Sequence, residues 1–432
     1  MKPLSPMPAG MQRKRLVKQG SRMKILVQKF GGSSVADLEC MKKVRGKVLA
    51  ELNNGYKLIV VLSARSGQTN RLTEMAFQWS DEPDLAELDS LLSTGEQEST
   101  ALFAMLLKDA GVKARSLTGY QIPVITDESF GSARIVSIDA EYLRSQLEIY
   151  DVLVVCGFQG CTGSKRITTL GRGGSDTSAV ALAAALGGGT VCHIYTDVDG
   201  VYTTDPRMCA NARRISKISY EEMLEMASMG AKVLQIRSVE FAKKFKVPVW
   251  VRSTFSDEPG TLVTQEDEVM MESVIVSGVA FDKDQARVTV LGVPDKPGVS
   301  AAIFVPLSDS GILVDMIVQK AGRDGRTDLT FTVSRKDLKR SVDLMTTLCG
   351  QIGGQGVETD NSVAKVSVIG VGMRNHSGVA AKAFQALYEA GVNILMISTS
   401  EIKISCLIEE SELPLAVRTL HDAFGLQDGE TA

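Results

Sequence analysis

The sequence is short of histidine and lacks any long apolar run, and each shortage excludes a class of function. Its three histidines, His193, His376 and His421, have no zinc-finger or helical spacing, which argues against a His-based metal site or a Ser-His-Asp enzyme. No run of about 18 apolar residues occurs, so no membrane partner is expected. The formal net charge is -3, and without a basic surplus the chain is not expected to bind nucleic acid.

The seven cysteines are scattered along the chain and include no Cys-x-x-Cys pair. An odd number without paired spacing argues against a disulfide framework and favours reduced, mostly buried thiols. We therefore expect a cytoplasmic protein.

Length and composition indicate a folded chain of more than one domain. The chain has 432 residues, of which 44% are hydrophobic and 23% charged, and this length corresponds to about three domains. Residues 1–22 carry six Lys or Arg and no acidic residue, and they lack the apolar stretch of a secretory signal. We predict a disordered basic arm there, or an over-long start, since Met23 opens a clean strand; a transit peptide is the weaker alternative.

Strands and helices alternate from Met23 onward. Apolar segments predict strands at residues 24–30, 58–62, 151–158 and 190–195. Helix-forming segments lie at residues 34–53, 85–110 and 177–186. This alternation predicts an α/β fold with a mainly parallel sheet flanked by helices, in a domain of residues 23–268. Ligands of such sheets bind beyond the carboxyl ends of the strands, where this sequence has glycine-rich turns.

An internal repeat follows the acidic stretch 265–269. VTVLGVPDKPGVSAAI from Val288 resembles VSVIGVGMRNHSGVAAKA from Val366, and Gly311 corresponds to Gly391 at an offset of 80 residues. Each copy predicts a strand, a glycine loop, a helix, two strands and a helix, as in the ferredoxin-like βαββαβ module. We expect a packed pair of such modules in region 269–432, with copies at about 284–358 and 363–432.

The first predicted strand closes on Lys29-Phe30-Gly31-Gly32-Ser33-Ser34 and leads into a helix. Glycines let backbone N–H groups approach an anion, a helix N-terminus favours negative charge, and Lys29 adds a positive charge. The Walker A pattern is absent. Taken alone, this turn therefore fits a structural strand–helix turn as well as it fits a phosphate site.

The stretch Leu170-Gly171-Arg172-Gly173-Gly174-Ser175-Asp176-Thr177 is the strongest local indication of a site. Arg172 can form paired hydrogen bonds with a carboxylate or a phosphate. Ser175 and Thr177 can donate to oxygens or cap the following helix, and Asp176 can hold Mg²⁺ or orient a lysine. A flexible loop before a capped helix is the alternative, but it gives no reason for charges set among three glycines.

The loop at residues 195–207 follows the next strand. The spacing of Asp197, Asp199 and Gly200 suggests a calcium loop, but the closing Glu of that pattern is missing. Tyr202 and Arg207 suit a nucleotide better, with Tyr202 near the base and Arg207 near the phosphates. A surface turn is the alternative.

Two further segments offer polar groups. Residues 63–70 follow the second strand and carry several hydroxyl groups. Glu96 lies in a Ser-Thr-Gly-Glu segment, where it either belongs to a plain helix cap or meets an ammonium group.

In chain order, KFGGSS, LSARSGQTN, LSTGE, TLGRGGSDTSA, YTDVDGVYTTDPR and MASMGAKVL resemble the aspartokinases of the amino acid kinase family. The resemblance covers the chain from Met23 onward, including tandem C-terminal ACT modules. It implies an amino acid kinase fold and the ATP-dependent phosphorylation of the β-carboxylate of L-aspartate to 4-phospho-L-aspartate. This reaction opens the route to lysine, threonine, methionine and, in many bacteria, diaminopimelate.

The resemblance also implies roles for individual residues. Lys29 is expected to neutralise charge at the transferred phosphoryl group, Asp176 to organise the lysine and metal side, and Arg172 to clamp the substrate carboxylate. Glu96 is expected to take the substrate ammonium group, and the pocket is expected to be lined by Ser63, Thr69 and Ser175. The expected ATP contacts are Lys29, Gly31, Gly32, Thr196, Asp197, Tyr202, Arg207, Lys232 and Val233. Mg²⁺ is expected to be carried by the nucleotide, without a metal site of the protein's own.

The ACT modules imply inhibition by lysine, threonine or both, and pairing with a second copy of the chain. The family's effector position is usually Asn, which is present as Asn393 in the second copy and replaced by Leu313 in the first. The first copy is therefore expected to bind no effector or to bind it differently. The predicted effector residues are Asp315, Gln319, Val379, Ala380, Asn393, Ile394, Ser400 and Glu401.

Two alternatives to this enzyme compete: an amino acid sensor without kinase activity, and a kinase for a different acid. The sensor requires damage to Lys29, Arg172 or Asp176, and all three are present.

Met271 follows the acidic stretch at a place where some aspartokinases start a separate small subunit. The alternative is that methionines follow an acidic linker by chance.

Overall fold

The computed structural model describes residues 23–229, 233–266, 276–320 and 325–428. The predicted arm at 1–22, the predicted ATP contact Lys232 and the predicted start at Met271 lie outside the described residues. Within these ranges, no helix is both long enough and apolar enough to span a bilayer.

The N-terminal part alternates strands and helices, as its sequence predicts. Its strands are β1 Ile25–Phe30, β2 Lys57–Leu62, β3 Ala114–Leu117, β4 Val124–Thr126, β5 Ile135–Ile138, β6 Val152–Cys156, β7 Gln159–Cys161, β8 Ile167–Thr169, β9 Val191–Thr196, β10 Lys217–Ser219, β11 Val249–Ser253 and β12 Thr261–Thr264. Its helices are α1 Leu38–Asn53, α2 Gln68–Trp79, α3 Leu85–Asp109, α4 Ala140–Ile149, α5 Gly174–Leu186, α6 Tyr220–Ser228 and α7 Ile236–Phe245.

An eight-stranded sheet forms the centre of this part, in the order β10-β12-β11-β9-β1-β2-β6-β3. Its neighbouring strands are parallel except for β11 and β12. The apolar runs of β1 and β6 are buried along their whole length, because helices cover both faces of the sheet. Helices α1 and α3 pack on one face, and α4, α5 and α7 pack on the other. The predicted α/β fold with a mainly parallel sheet is confirmed.

Two helix starts differ from the sequence-based expectation. The predicted helix at 34–53 is split into a 3-10 turn, Gly32–Val35, and α1, because the Asp37 side chain accepts a hydrogen bond from Cys40 N at 2.8 Å and starts a new helix. Helix α5 begins at Gly174, ahead of residue 177. Gly173 has φ +71° there, a left-handed conformation that glycine adopts without strain.

A smaller four-stranded sheet, β5-β4-β7-β8, lies beside the first turns of α3. Strand β8 ends at Thr169, directly before the glycine-rich stretch that opens α5. This sheet therefore fixes where the glycine-rich stretch leaves the body of the domain.

The C-terminal part is built on one six-stranded antiparallel sheet. Its strands are β13 Gly278–Pro294, β14 Val314–Gln319, β15 Arg326–Val333, β16 Gly356–Ile369, β17 Met396–Thr399 and β18 Lys403–Glu409. Its helices are α8 Val299–Asp309, α9 Leu338–Ile352, α10 Val379–Glu389 and α11 Leu413–Ala423. The strand order is β14-β15-β13-β16-β18-β17, so the two repeats share one sheet.

Strands β13 and β16 each serve both repeats. Residues 285–291 of β13 pair with the first half of β16 in the first module. Residues 278–282 pair instead with 365–369 of β16, so a segment that precedes the first copy supplies the last strand of the second. Both modules thereby complete the βαββαβ arrangement, and the second depends on a strand outside its expected bounds of 363–432.

Candidate active site

The predicted site residues gather at one edge of the eight-stranded sheet. Strands β1, β2, β6 and β9 are parallel, so their carboxyl ends meet at the same edge. Lys29 lies near the end of β1, and Ser63 directly follows β2. Backbone hydrogen bonds connect these ends: Ser63 N donates to Phe30 O at 3.2 Å, and Gly31 N donates to Tyr195 O at 3.4 Å.

Lys29 and Asp176 form an ion pair with 2.6 Å between Nζ and Oδ1, and both side chains are 10% exposed. Lys29 comes from β1 and Asp176 from the first turn of α5, which packs on β1. The carboxylate also lies at the positive end of the helix dipole. The structure thus places the predicted lysine and aspartate in direct contact, with a helix N-terminus beside them.

Gly31 and Gly32 carry the chain from β1 into the 3-10 turn. A Cβ atom on Gly32 would lie 2.8 Å from the backbone oxygen of Ala64, so no larger residue fits this turn. The loop after β2 is held against it, because Ser66 N donates to Gly32 O at 3.2 Å. The turn after β1 and the loop after β2 therefore form one surface at the sheet edge, where backbone N–H groups can approach an anion.

The glycine-rich stretch before α5 is shaped by close contacts. Gly171 has φ +75°, and a Cβ on Gly173 would overlap the Gln235 side chain. Arg237 donates to Leu170 O at 2.7 Å and fastens the start of the stretch. Arg172 itself is exposed and forms no hydrogen bond or ion pair with the residues described here, so its guanidinium is available for an anionic ligand.

Glu96 lies on α3 and is 3% exposed. Its Oε1 accepts a hydrogen bond from Ala64 N at 2.9 Å, and burial raises its pKa to about 7. Ser99, one turn further along α3, donates to Ser63 O at 2.8 Å. Helix α3 thus holds the loop after β2. Thr69 lies just beyond this loop, in the first turn of α2, and is half-buried.

The nucleotide loop predicted at residues 195–207 begins at the same sheet edge. Thr196 is half-buried, and its carbonyl accepts a hydrogen bond from Thr254 N at 3.0 Å, while Asp197 is exposed. The Tyr202 hydroxyl donates to Asp199 Oδ1 at 2.9 Å.

Two other predicted ATP contacts occupy different surroundings. The Arg207 guanidinium pairs with Asp205 at 2.7 Å, and its side chain is 89% exposed. Val233 is half-buried and packs against the domain core.

Sequence reasoning missed several side chains that organise this edge. Ser34 Oγ and Thr254 Oγ1 lie 2.7 Å apart and join the first turn to the end of β11. Asp89, Ser93 and Glu96 are spaced four and three residues apart and are all buried on one face of α3. Polar residues at helical spacing between apolar ones were the available signal for that face.

The C-terminal part contacts the N-terminal part through buried polar groups. Glu222 of α6 is 1% exposed and accepts from Val371 N at 3.0 Å and from the Ser277 hydroxyl. Thr203, in the predicted nucleotide loop, lies 2.9 Å from His421 Nε2 of α11. The C-terminal modules therefore touch the loop at residues 195–207 directly.

The predicted effector residues fall into two groups at opposite edges of the six-stranded sheet. Asp315 and Gln319 lie on β14 at one edge, and Asp315 pairs with the buried Lys365. Asn393 lies just before β17 at the other edge and is exposed. The second group also contains Ile394, Val379 and Ala380 at the start of α10, and Ser400 and Glu401 in the turn after β17. One chain does not bring these two groups together.

Comparisons with known families divide the chain in the same way as the structure. Residues 24–253 match the amino acid kinase family, and residues 287–349 and 366–424 each match the ACT domain.

Individual proteins resemble the chain over nearly its whole length. The aspartate kinase of Pseudomonas putida is 53% identical over 404 residues, covering 94% of this chain and 98% of that protein. The crystal structure of Escherichia coli aspartokinase III with aspartate and ADP, in its R-state, has a TM-score of 0.75 and 28% identity and covers 93% of this chain and 99% of that chain. The T-state structure of the same enzyme with lysine and aspartate has a TM-score of 0.74, 28% identity and the same coverage.

Proposed function

The chain belongs to the aspartate kinases of the amino acid kinase family, and we propose that Lys29, Arg172 and Asp176 carry its reaction. The enzyme phosphorylates the β-carboxylate of L-aspartate with ATP and forms 4-phospho-L-aspartate, the first step toward lysine, threonine and methionine. Its ACT modules place this step under feedback control.

The attacking group needs no activation by a base. A free aspartate side chain titrates near pH ~4, so the β-carboxylate is ionised at neutral pH. Phosphoryl transfer to it depends on positioning and on cations that offset the negative charge of two anions brought together. This requirement agrees with a site that is rich in Lys, Arg and backbone N–H groups and has no histidine among the proposed residues.

Each proposed residue has a role that its position supports. Arg172 binds the substrate carboxylate with its free guanidinium, and Glu96 takes the substrate ammonium group. Lys29 neutralises the transferred phosphoryl group, and Asp176 holds the Lys29 ammonium in place. Ser63, Thr69 and Ser175 line the pocket between these charges.

The phosphates of ATP are proposed to lie over Gly31, Gly32 and the N-terminus of α5, where N–H groups and the helix dipole favour anions. Thr196, Asp197 and Tyr202 are proposed to follow the nucleoside from the end of β9. Arg207 joins them only if its bond to Asp205 opens, because that carboxylate holds it in this structure. Lys232 and Val233 are proposed as further contacts on the chain after α6.

Mg²⁺ is proposed to enter with the nucleotide. Among the described residues, no group of three or more His, Cys, Asp or Glu side chains is arranged to hold a metal ion. Mg²⁺ usually keeps several waters and binds phosphate oxygens together with one or two carboxylates. The single carboxylate of Asp176 therefore suits an ion that arrives with the nucleotide. When bound, the ion supplies positive charge at the phosphates.

The observation that carries these roles is the buried ion pair of Lys29 and Asp176 at the sheet edge. Arg172 precedes Asp176 by four residues, is exposed, and has no ion pair with any described residue. An assay that couples ADP formation to a visible signal, with aspartate, glutamate and acetylglutamate offered in turn, tests the substrate. Turnover confined to aspartate is expected. Turnover with another acid would assign the pocket to that acid, and no turnover with any would make the chain a sensor.

Lysine, threonine or both are proposed as the inhibitors. The relative from Escherichia coli has been crystallised with lysine in its T-state. In this chain the two groups of effector residues lie at opposite edges of one sheet, so an effector contacts both only between two chains. We therefore propose a homo-oligomer paired through its ACT modules. We also propose a cytoplasmic location, because the seven cysteines are free thiols, as in a reducing compartment.

An internally initiated small subunit from Met271 is also proposed. A product of residues 271–432 begins ahead of the strand segment 278–282, which the second module needs as its last strand. It therefore contains all the described strands and helices of the C-terminal part. It would present the same pairing edges as the full chain.

A further inference from the structure

Asp89 is a buried carboxylate that none of the proposed roles uses. It lies in the second turn of α3 and its exposure is 0%. It forms no ion pair with the described residues, so its charge is balanced by hydrogen bonds alone. Burying a carboxylate without a cation is costly unless its oxygens are well bonded, so the positions of its donors matter.

Three donors from two separate segments converge on Asp89. Thr169, the last residue of β8, donates from its backbone N to Oδ2 at 2.8 Å and from Oγ1 to Oδ1 at 2.5 Å. Gly131, in the loop before β5, donates its backbone N to both oxygens at 2.9 and 3.1 Å. One carboxylate of α3 therefore joins the small sheet to the loop beside it.

These segments hold the start of the glycine-rich stretch. Ala133 N donates to Thr169 O at 2.9 Å, and a Cβ on Gly171 would lie 3.1 Å from Gly131 O. Arg237 adds a second fastening, because it donates to Leu170 O and, at 2.6 Å, to Ala133 O. The chain is thus fixed at residues 169–171, immediately before Arg172.

The face of α3 that carries Asp89 also carries Glu96. Between them, the backbone oxygen of Ser93 accepts from Gln159 Nε2 of β7 at 3.0 Å. Glu96 in turn holds Ala64 N. A single rigid helix therefore sets the relative positions of the loop after β2, strand β7 and the stretch that bears Arg172.

We propose that Asp89 is a positioning residue for Arg172, which fixes the arginine-bearing stretch relative to the aspartate pocket. This inference rests on the proposed role of Arg172 in binding the substrate carboxylate. A loosened stretch weakens the contact with aspartate, since small misplacements of a clamping group reduce rates by up to about 10²-fold. The phosphate surface keeps its geometry, because Gly31 and Gly32 follow β1 and α5, whose N-terminus completes that surface, is anchored by its own packing on β1 and α7.

The test compares Asp89→Asn with Asp84→Asn in the full-length enzyme. Asp84 caps the same helix through Ala86 N and Glu87 N, and its exposed ion pair with Arg166, at 4.0 Å, lies ahead of β8. For Asp89→Asn we expect KM for aspartate to rise on the order of tenfold or more, with KM for ATP within about twofold of wild type. Asp84→Asn is expected to leave both constants near wild type. Equal rises in both KM values, or no rise, would overturn the proposal.

Thr169→Val provides the second variant in case Asp89→Asn does not fold. It removes the Oγ1 donor and keeps the shape of the side chain and the backbone bond. We expect a smaller rise in KM for aspartate alone, and non-additive effects when both substitutions are combined. Additive effects would contradict the proposal.

Arg172→Ala separates this inference from the proposed function. If Arg172→Ala raises KM for aspartate and neither Asp89→Asn nor Thr169→Val does, Asp89 is not a positioning residue. If Arg172→Ala leaves KM for aspartate unchanged, the proposed role of Arg172 is wrong, and the inference fails with it.

Discussion

Lys29 Nζ lies 2.6 Å from Asp176 Oδ1, so a strand and a helix N-terminus meet at one buried ion pair. Each charge is nearly removed from water and is held mainly by the other. Removing one partner therefore leaves the other as an unpaired buried charge in the same place where phosphate is proposed to bind.

We expect Lys29→Ala and Asp176→Ala each to reduce kcat by ~10²-fold or more. Lys29→Ala removes the positive charge placed on the transferring group, and Asp176→Ala removes the carboxylate that holds that lysine in place. The measurement is steady-state turnover at saturating aspartate and ATP, with circular dichroism to show that the variants are folded. Lys57→Ala is the matched control, since Lys57 pairs with Asp151 at 2.8 Å at the opposite end of the sheet. Turnover of either site variant near that of wild type would refute the role assigned to it.

Glu96 is expected to make aspartate binding depend on pH. Burial raises the pKa of Glu96 to about 7 from 4.5, so below pH 7 most of the folded enzyme carries the neutral acid. An ammonium group binds the ionised form, and binding must then release a proton. We expect KM for aspartate in the wild type to rise by about tenfold for each unit below pH 7 and to level off above it.

The measurement is KM for aspartate between about pH 5.5 and 8, where the substrate's own carboxylates stay ionised. In Glu96→Gln we expect a raised KM that no longer varies with pH over this range. Glu87→Gln, at an exposed position of the same helix, is expected to behave as wild type. A pH-independent KM in the wild type would mean that Glu96 holds only Ala64 N and does not bind the substrate.

The sequence was informative wherever a single segment carried its own pattern. The apolar runs predicted β1, β2, β6 and β9, and the glycine turns after them predicted the sheet edge at which the site lies. The sequence did not indicate Asp89, because its role depends on hydrogen bonds from Gly131 and Thr169. These residues are distant in the chain and meet Asp89 only after folding. The pairing of segment 278–282 with β16 was missed for the same reason. The boundaries of a repeat mark where the two copies resemble each other, and they do not show that the second module takes its last strand from a segment ahead of the first.

Regulation is expected to depend on Asn393. Its amide lies exposed before β17, where an effector held between two chains would meet it. We expect Asn393→Ala to raise the concentration of lysine or threonine needed for half-maximal inhibition by about fivefold or more, while uninhibited turnover stays near wild type. The measurement is turnover across a titration of each amino acid, separately and together.

The first module offers a matched control at the equivalent position. Leu313 is 84% exposed and carries no polar group for an effector. We expect Leu313→Ala to leave inhibition unchanged. Unchanged inhibition in Asn393→Ala would place the effector site elsewhere, and loss of inhibition in Leu313→Ala would assign it to the first module.

A second, shorter product from the same gene is the last expected outcome. Codons for Glu and Asp all begin with GA, so the acidic residues at 266–268 require the purine-rich sequence that a bacterial ribosome-binding site needs, just ahead of Met271. The product from Met271 has the size of an ordinary domain, on the order of 160 residues. It keeps segment 278–282 and so completes the one sheet that both modules share.

Expression of the native gene with a C-terminal tag tests this. We expect two tagged bands, the shorter with the size of residues 271–432. Replacing the Glu and Asp codons at 266–268 by the pyrimidine-rich serine codons TCC or TCT is expected to abolish the shorter band. Silent changes in the codons for 255–259 are the control, and they are expected to leave both bands. Replacing Met271 by Leu separates initiation from cleavage, because a protease that cuts the full-length chain would still produce the short band. A single full-length band from the native gene, or a short band that survives the serine codons at 266–268, would show that no internal start is used.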